Sequence, residues 1–147
     1  MGPLLLQVAV TCYLTGLIWT IQMVHYPLMA QVGTDQFSRY ERLHAAAITP
    51  VVGPAMLAEA GLAAWLLLQR PPAVPAWMAW AGAALILLIW IVTFGVSVPC
   101  HGVLSQGFDA AAHQRLVQSN WLRTLGWTAR AALCLWMAWL VWRSVKS

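Results

Sequence analysis

Charged residues are scarce in this sequence. Only 8% of the 147 residues are charged, whereas 61% are apolar. A soluble domain averages roughly 25% charged residues, so this chain has too few of them to cover a surface that faces water. The same composition excludes a disordered chain, which is rich in charge and poor in apolar residues. We therefore expect lipid to be the main solvent of a single domain.

The sequence also lacks the signals of several functional classes. Its eight Lys and Arg residues are too few for the clustered basic face of a nucleic-acid-binding protein. Its three Cys residues are odd in number and show no CxxC spacing, so neither a disulfide framework nor a zinc knuckle is indicated. The hydrolase motifs GxSxG and HExxH are absent, as is a phosphate-binding glycine loop.

Long apolar runs are abundant by contrast, and they predict an all-α protein. A membrane-spanning helix needs about 20 mostly apolar residues. The sequence predicts a four-helix transmembrane bundle with both termini on one side of the bilayer. The predicted helices are 4–24, 40–68, 75–97 and 110–142.

Prolines mark the predicted ends and bends of these helices. Pro27 and Pro99 are predicted to end the first and third helices, because proline lacks a backbone donor. Pro50 and Pro54 predict a kink within the second helix. The residues that follow Pro27 and Pro99 then form polar connections on the membrane face opposite the termini.

All four histidines fall near that same face, one on each helix. His25 ends the first helix, His44 opens the second, His101 follows the third and His113 opens the fourth. Imidazole is the commonest metal ligand. Counting 1.5 Å of helix rise per residue places His25, His44 and His101 near the same membrane boundary, whereas His113 lies roughly 15 Å outside the hydrocarbon core. We therefore predict a metal site at His25, His44 and His101. The alternative is that interfacial histidines are simply tolerated where water is near.

Three further polar residues are candidate site residues. Gln22 lies about one helical turn from His25, and Asn120 and Arg123 reach the same membrane boundary on the fourth helix. Asn120 and Arg123 are predicted to orient the polar end of a substrate. The alternative for Arg123 is that its side chain extends to lipid phosphates, which is the commoner fate of an interfacial arginine.

Glu59 and Arg130 are predicted to lie near the bilayer centre. Each is roughly 16–20 Å from the face that carries the termini, and an unpaired charge there would cost several kcal/mol. One interpretation is a buried Glu59–Arg130 ion pair that joins the second and fourth helices. The other makes Glu59 a proton relay or a metal ligand below the histidines.

Two stretches of the sequence resemble known families. The segment SVPCHGVLSQGFDAAAHQRLVQSNWLRTLGWTARAAL, with its N-x-x-R-T pattern, resembles the small four-helix membrane proteins grouped with fungal anthrone oxygenases. IWTIQMVHYPLM and FSRYERLHAAAITPVVGPAMLAE are similar to bacterial membrane proteins of the same size. The resemblance implies oxidation of an aromatic or polycyclic substrate and a multi-pass protein of a bacterial inner membrane. It assigns the motif positions to Asn120, Arg123 and Thr124.

Two functional hypotheses follow, and the first places a lipophilic small molecule in contact with the bundle. The first is a membrane oxidoreductase that uses iron or copper, with zinc and haem as alternatives, because imidazole suits all of these groups. The second is a non-catalytic subunit that binds a lipid, quinone, haem or partner protein, with homo-oligomer formation as one form of partnership. Nucleic acid is not an expected partner. The balance of Lys and Arg on the two faces does not determine orientation, and cytoplasmic termini are favoured.

Overall fold

The computed structural model describes residues 2–146, and over this range it contains four long helices and no strand. All four helices are long and apolar enough to cross a membrane. They are α1 (Gly2–Met29), α2 (Thr34–Leu68), α3 (Ala76–Leu104) and α4 (Ala110–Lys146). Short connections make consecutive helices antiparallel, so both ends of the described chain lie on one face. The predicted all-α, four-helix fold is confirmed.

The predictions that Pro27 and Pro99 end their helices are wrong. In both cases the turn before the proline is π-helical, over Ile21–His25 and Thr93–Ser97, and an α-helical segment then resumes with the proline in its first turn. A π turn holds one extra residue, and the first turn of a helix tolerates proline because its N–H groups have no partner within the helix. The first helix therefore continues five residues beyond its predicted end, to Met29, and the third continues seven, to Leu104.

The connections are correspondingly shorter than predicted. Residues 30–33 join α1 to α2, and residues 105–109 join α3 to α4. Gly107 adopts a φ of 155°, a conformation that L side chains rarely adopt. The Asp109 carboxylate then accepts a hydrogen bond of 2.7 Å from the Ala112 N–H, which stabilises the start of α4. Both Pro50 and Pro54 lie within a continuous α2.

Apolar side chains fill much of the bundle interior and also cover its outer surface. α4 packs along α1 and α3, and α2 packs against the same two helices. One buried cluster includes Leu4, Met78 and Met137 near the chain ends, and a larger one includes Leu14 and Phe37 towards the opposite face. Large apolar side chains are exposed around the bundle. This distribution is expected for helices whose outer surfaces contact lipid.

Between the two apolar clusters lies a central polar layer of Thr11, Glu59, Trp127 and Arg130. One Glu59 oxygen accepts hydrogen bonds from Thr11 Oγ1 at 2.8 Å and from Arg130 Nε at 2.9 Å. The other accepts a hydrogen bond of 3.0 Å from Trp127 Nε1. Glu59 and Arg130 are each 1% exposed. The predicted ion pair between the second and fourth helices is therefore confirmed.

The Arg130 side chain also needs a glycine opposite it, which gives a first prediction. A Cβ atom placed on Gly82 would lie 2.6 Å from Arg130 Nη1, and the ion pair with Glu59 holds that group in place. Gly82→Ala is expected to lower the free energy of unfolding by about 1–3 kcal/mol through overpacking. Thermal unfolding in detergent measures the effect, with Gly61→Ala as the control because a Cβ there meets nothing within 4 Å. Equal stability of the two variants would contradict the close approach.

Candidate functional site

Three histidine rings meet at the end of the bundle opposite the chain ends. His25 from α1 and His44 from α2 stack with ring centroids 4.1 Å apart and planes 24° apart. His101 from α3 lies next to His44, with ring centroids 5.6 Å apart and planes at 36°. All three rings are half-buried. We call His25, His44 and His101 the imidazole stack, and the structure brings together the three histidines that depth counting grouped.

The buried carboxylate of Glu41 binds this stack, although the sequence pattern did not single it out. Glu41 is fully buried, and its Oε1 lies 2.6 Å from His101 Nδ1. An ionised carboxylate only accepts hydrogen bonds, so His101 Nδ1 donates and Nε2 of a neutral ring keeps its lone pair. The spacing of three residues between Glu41 and His44 could have predicted this contact, because it places both side chains on one face of α2.

Two polar atoms of this group are buried without a hydrogen-bond partner among residues 2–146. They are His25 Nε2 and Glu41 Oε2. The other nitrogen of His25, Nδ1, lies 3.4 Å from the Tyr40 hydroxyl. A buried polar atom without a partner costs about 1–3 kcal/mol. Such atoms in a native protein need an explanation, such as a catalytic role, a bound ion or an ordered water.

A second polar group lies nearby and joins three helices. The Gln22 side-chain oxygen accepts a hydrogen bond of 2.8 Å from the Asn120 amide. The Asn120 oxygen accepts one of 3.0 Å from Arg123 Nη1, which also lies 3.5 Å from Ser97 Oγ. All four side chains are buried. We call Gln22, Ser97, Asn120 and Arg123 the Arg123 network; the sequence predicted every member except Ser97, which lies one turn before His101.

Arg123 is a buried cation without a carboxylate partner. It is 7% exposed, so it does not reach lipid phosphates as the alternative prediction proposed. Within the described chain the ion pairs are His101–Glu41 and Arg130–Glu59. The Nε atom of Arg123 has no hydrogen-bond partner there.

Away from Asn120 and Ser97, the neighbours of Arg123 are mainly aromatic. Its guanidinium carbon lies 5.3 Å from the ring centroid of Trp127, and the Tyr26 phenol lies next to it. A small cavity of about 10 Å³ borders Arg123 and Trp127, and this is close to the space of one water molecule. The guanidinium is therefore hydrogen-bonded on one side, by Asn120 and Ser97, and it lacks a balancing negative charge.

Two other candidate residues lie outside this site. Glu59 is 15 residues from His44 on α2, which places it about 22 Å away along the helix. Its carboxylate is engaged by the central polar layer, so the structure does not place it with the imidazole stack as a metal ligand. His113 Nε2 lies 3.0 Å from the Tyr26 carbonyl oxygen and connects α4 to α1.

The imidazole stack is not arranged as a finished metal site. In the part of the chain that the structure describes, no group of three or more His, Cys, Asp or Glu side chains is placed to hold a metal ion. The lone pairs of an imidazole lie in its ring plane, so rings stacked face to face do not direct them at a common point. Ring rotation would be needed for joint coordination.

Comparisons with known proteins do not assign the chain to a family. No protein-family model matches it, and no curated protein and no solved structure matches it either. The resemblance to the anthrone oxygenases therefore rests on the sequence motifs alone. The case for a function depends on the geometry of the imidazole stack and the Arg123 network.

Proposed function

We propose that this chain is an integral membrane oxidoreductase that acts on a lipophilic, aromatic substrate at the imidazole stack. The observation that carries the proposal is the buried Arg123 guanidinium, which has no carboxylate partner and lies at the same end of the bundle as three grouped imidazoles. Removing a charge from water without a partner costs several kcal/mol. A phenolate-like or carboxylate oxygen of a bound substrate would supply the missing negative charge.

Each polar residue of the site then has a role in substrate binding. Arg123 and Asn120 bind and orient the polar oxygen of the substrate, and Gln22 holds the Asn120 amide in place. The apolar body of the substrate reaches the site from the bilayer. His101, whose Nδ1 is held by Glu41, is suited to accept a substrate proton at Nε2.

The chemistry of the side chains fits a transition metal, with His25, His44 and His101 as the residues that would hold it. His25 Nε2 is buried and unpartnered, and Glu41 binds His101 as carboxylates commonly bind the second nitrogen of a ligating imidazole. Iron or copper would supply the electron transfer from substrate to molecular oxygen, the proposed oxidant, that amino-acid side chains lack, whereas zinc would not. Joint coordination of a metal ion and ligation of a haem would both require the stacked rings to rotate.

A second prediction follows for metal content. The protein purified in detergent is expected to carry about one equivalent of iron or copper, and His44→Ala or His101→Ala is expected to lose most of it, because each removes one ligand. Elemental analysis and the optical spectrum measure the metal. His113→Ala is the matched control, since His113 bonds a backbone carbonyl outside the stack. A metal-free preparation that is folded and active would overturn the metal proposal.

The second candidate function is a non-catalytic subunit that binds a quinone, a lipid or a partner protein through the Arg123 network. The stacked rings, which do not converge on one point, favour this candidate. It predicts a co-purifying quinone or lipid, no metal and no turnover. In either case we propose a bacterial inner-membrane location with cytoplasmic termini, which accessibility labelling of Lys146 in intact cells would test.

A further inference from the structure

A groove opens on the outer surface of the bundle between the end of α3 and the start of α4. Its volume is about 430 Å³, which lies within the range of about 300–1,000 Å³ that is usual for small-molecule sites. Val96, Pro99 and Val103 form its α3 wall, and Ala111 and Ala112 form much of the α4 wall. The walls are therefore apolar and suited to a hydrocarbon chain.

The groove is distinct from the imidazole stack. Pro99 and Val103 each lie two residues from His101, which places them about 200° around the helix from it. They face outward, whereas His101 contacts His44 and Glu41 inside the bundle. Small side chains keep the groove open, and a Cβ on Gly95, one of its lining residues, would meet nothing within 4 Å.

The α4 side of the groove carries one negative and one positive charge, on Asp109 and Arg115. Neither forms an ion pair with any residue between positions 2 and 146, because the ion pairs there are His101–Glu41 and Arg130–Glu59. One Asp109 oxygen accepts the Ala112 N–H, and Arg115 forms no side-chain hydrogen bond with the described chain. Two opposite charges without ion partners thus lie beside an apolar groove.

We propose that this groove binds a zwitterionic phospholipid whose head carries a phosphate and a primary ammonium, as in phosphatidylethanolamine. The Arg115 guanidinium would bind the phosphate at two points, and the ammonium would donate to Asp109. An acyl chain would fill the apolar part of the groove. A purely anionic head would leave Asp109 unbalanced, and a trimethylated ammonium has no N–H to donate. The charge pair therefore favours this head over those of phosphatidylglycerol and phosphatidylcholine.

Native mass spectrometry of the full chain in detergent tests the proposal. Phosphatidylethanolamine, phosphatidylglycerol and phosphatidylcholine with identical acyl chains are added in equal amounts. We expect one retained lipid per chain, with at least tenfold preference for phosphatidylethanolamine over each of the other two. Equal retention of the three lipids by the wild-type chain would overturn the proposal.

Three variants assign the preference to the groove. Asp109→Asn keeps a residue that caps helices well but removes the charge, so discrimination against phosphatidylglycerol should be lost. Arg115→Gln should reduce phosphatidylethanolamine retention at least tenfold. Gly95→Leu should fill the groove and block every lipid, whereas Gly61→Leu, on the open surface of α2, should not. Circular dichroism checks the helix content of each variant. Unchanged lipid selectivity in folded Asp109→Asn, or unchanged lipid retention in folded Gly95→Leu, would refute the site.

Discussion

Glu59→Gln is expected to lower the free energy of unfolding by about 3–5 kcal/mol, the usual effect of breaking a buried ion pair from one side. The substitution leaves Arg130 charged in the centre of the bundle, where it is 1% exposed. Its Nη2 atom already has no hydrogen-bond partner within residues 2–146, so no other group is available to compensate the charge. The neutral glutamine side chain can accept only part of these hydrogen bonds, because its amide nitrogen is a donor and would face either the Trp127 N–H or the Thr11 and Arg130 donors.

The double variant Glu59→Gln, Arg130→Met should be more stable than Glu59→Gln alone. Replacing both charges removes the desolvation penalty together with the attraction between them, and such replacements are often neutral or stabilising. Unfolding in mixed micelles with increasing denaturing detergent measures both variants and the Arg130→Met single variant. Independent, additive effects of the two substitutions would show that the pair is not a stability element, and Glu59 would then become a candidate for proton transfer.

The ion pair is also connected to the candidate site through one side chain. Trp127 is 1% exposed, donates its indole N–H to Glu59 and packs its ring beneath Arg123. A change at Glu59 can therefore alter the position of Arg123 without touching the substrate. Activity measured on Glu59 variants should for this reason be compared with Trp127→Phe, which removes the hydrogen bond and keeps the aromatic ring.

The helix pattern and the ion pair could be predicted because they depend on fixed quantities. The rise per residue of a helix and the thickness of a bilayer set both the number of spans and the depth of Glu59 and Arg130. The ends of the first and third helices were predicted too early, because the rule that proline ends a helix does not include a π turn ahead of Pro27 or Pro99. Helix propensities of single residues do not predict the extra residue that a π turn holds.

Other features of the site depend on tertiary packing. Glu41 was missed because it lies outside a 20-residue span counted from Arg70, although the bundle buries it fully against His101. The stacking of His25 on His44 depends on side-chain torsions that neighbouring helices decide, so residue spacing could group the rings but not orient them. The same holds for Arg123, because only the packed structure shows that its side chain is buried and does not extend to the membrane surface.

Arg123→Met is expected to leave the substrate-free bundle as stable as the wild type or more stable, and to abolish substrate binding. Met has a similar length and removes a buried cation that has no carboxylate partner in the described chain. Residues retained for function commonly reduce stability in this way. If Arg123 served the fold, losing its bonds to Asn120 and Ser97 would destabilise the bundle by about 1–3 kcal/mol.

Arg123→Lys separates charge from shape at the same position. Lys keeps the positive charge but lacks the planar fork that grips an oxygen at two points, so we expect unchanged melting and a loss of about 2–5 kcal/mol in binding free energy. Quenching of tryptophan fluorescence by added anthrone measures binding, and oxygen consumption measures turnover. Arg42→Lys is the control, because Arg42 is exposed at the same end of the bundle. If Arg123→Lys binds anthrone as the wild type does and Arg123→Met unfolds more easily, Arg123 is structural and the candidate site is reduced to the imidazole stack with Glu41.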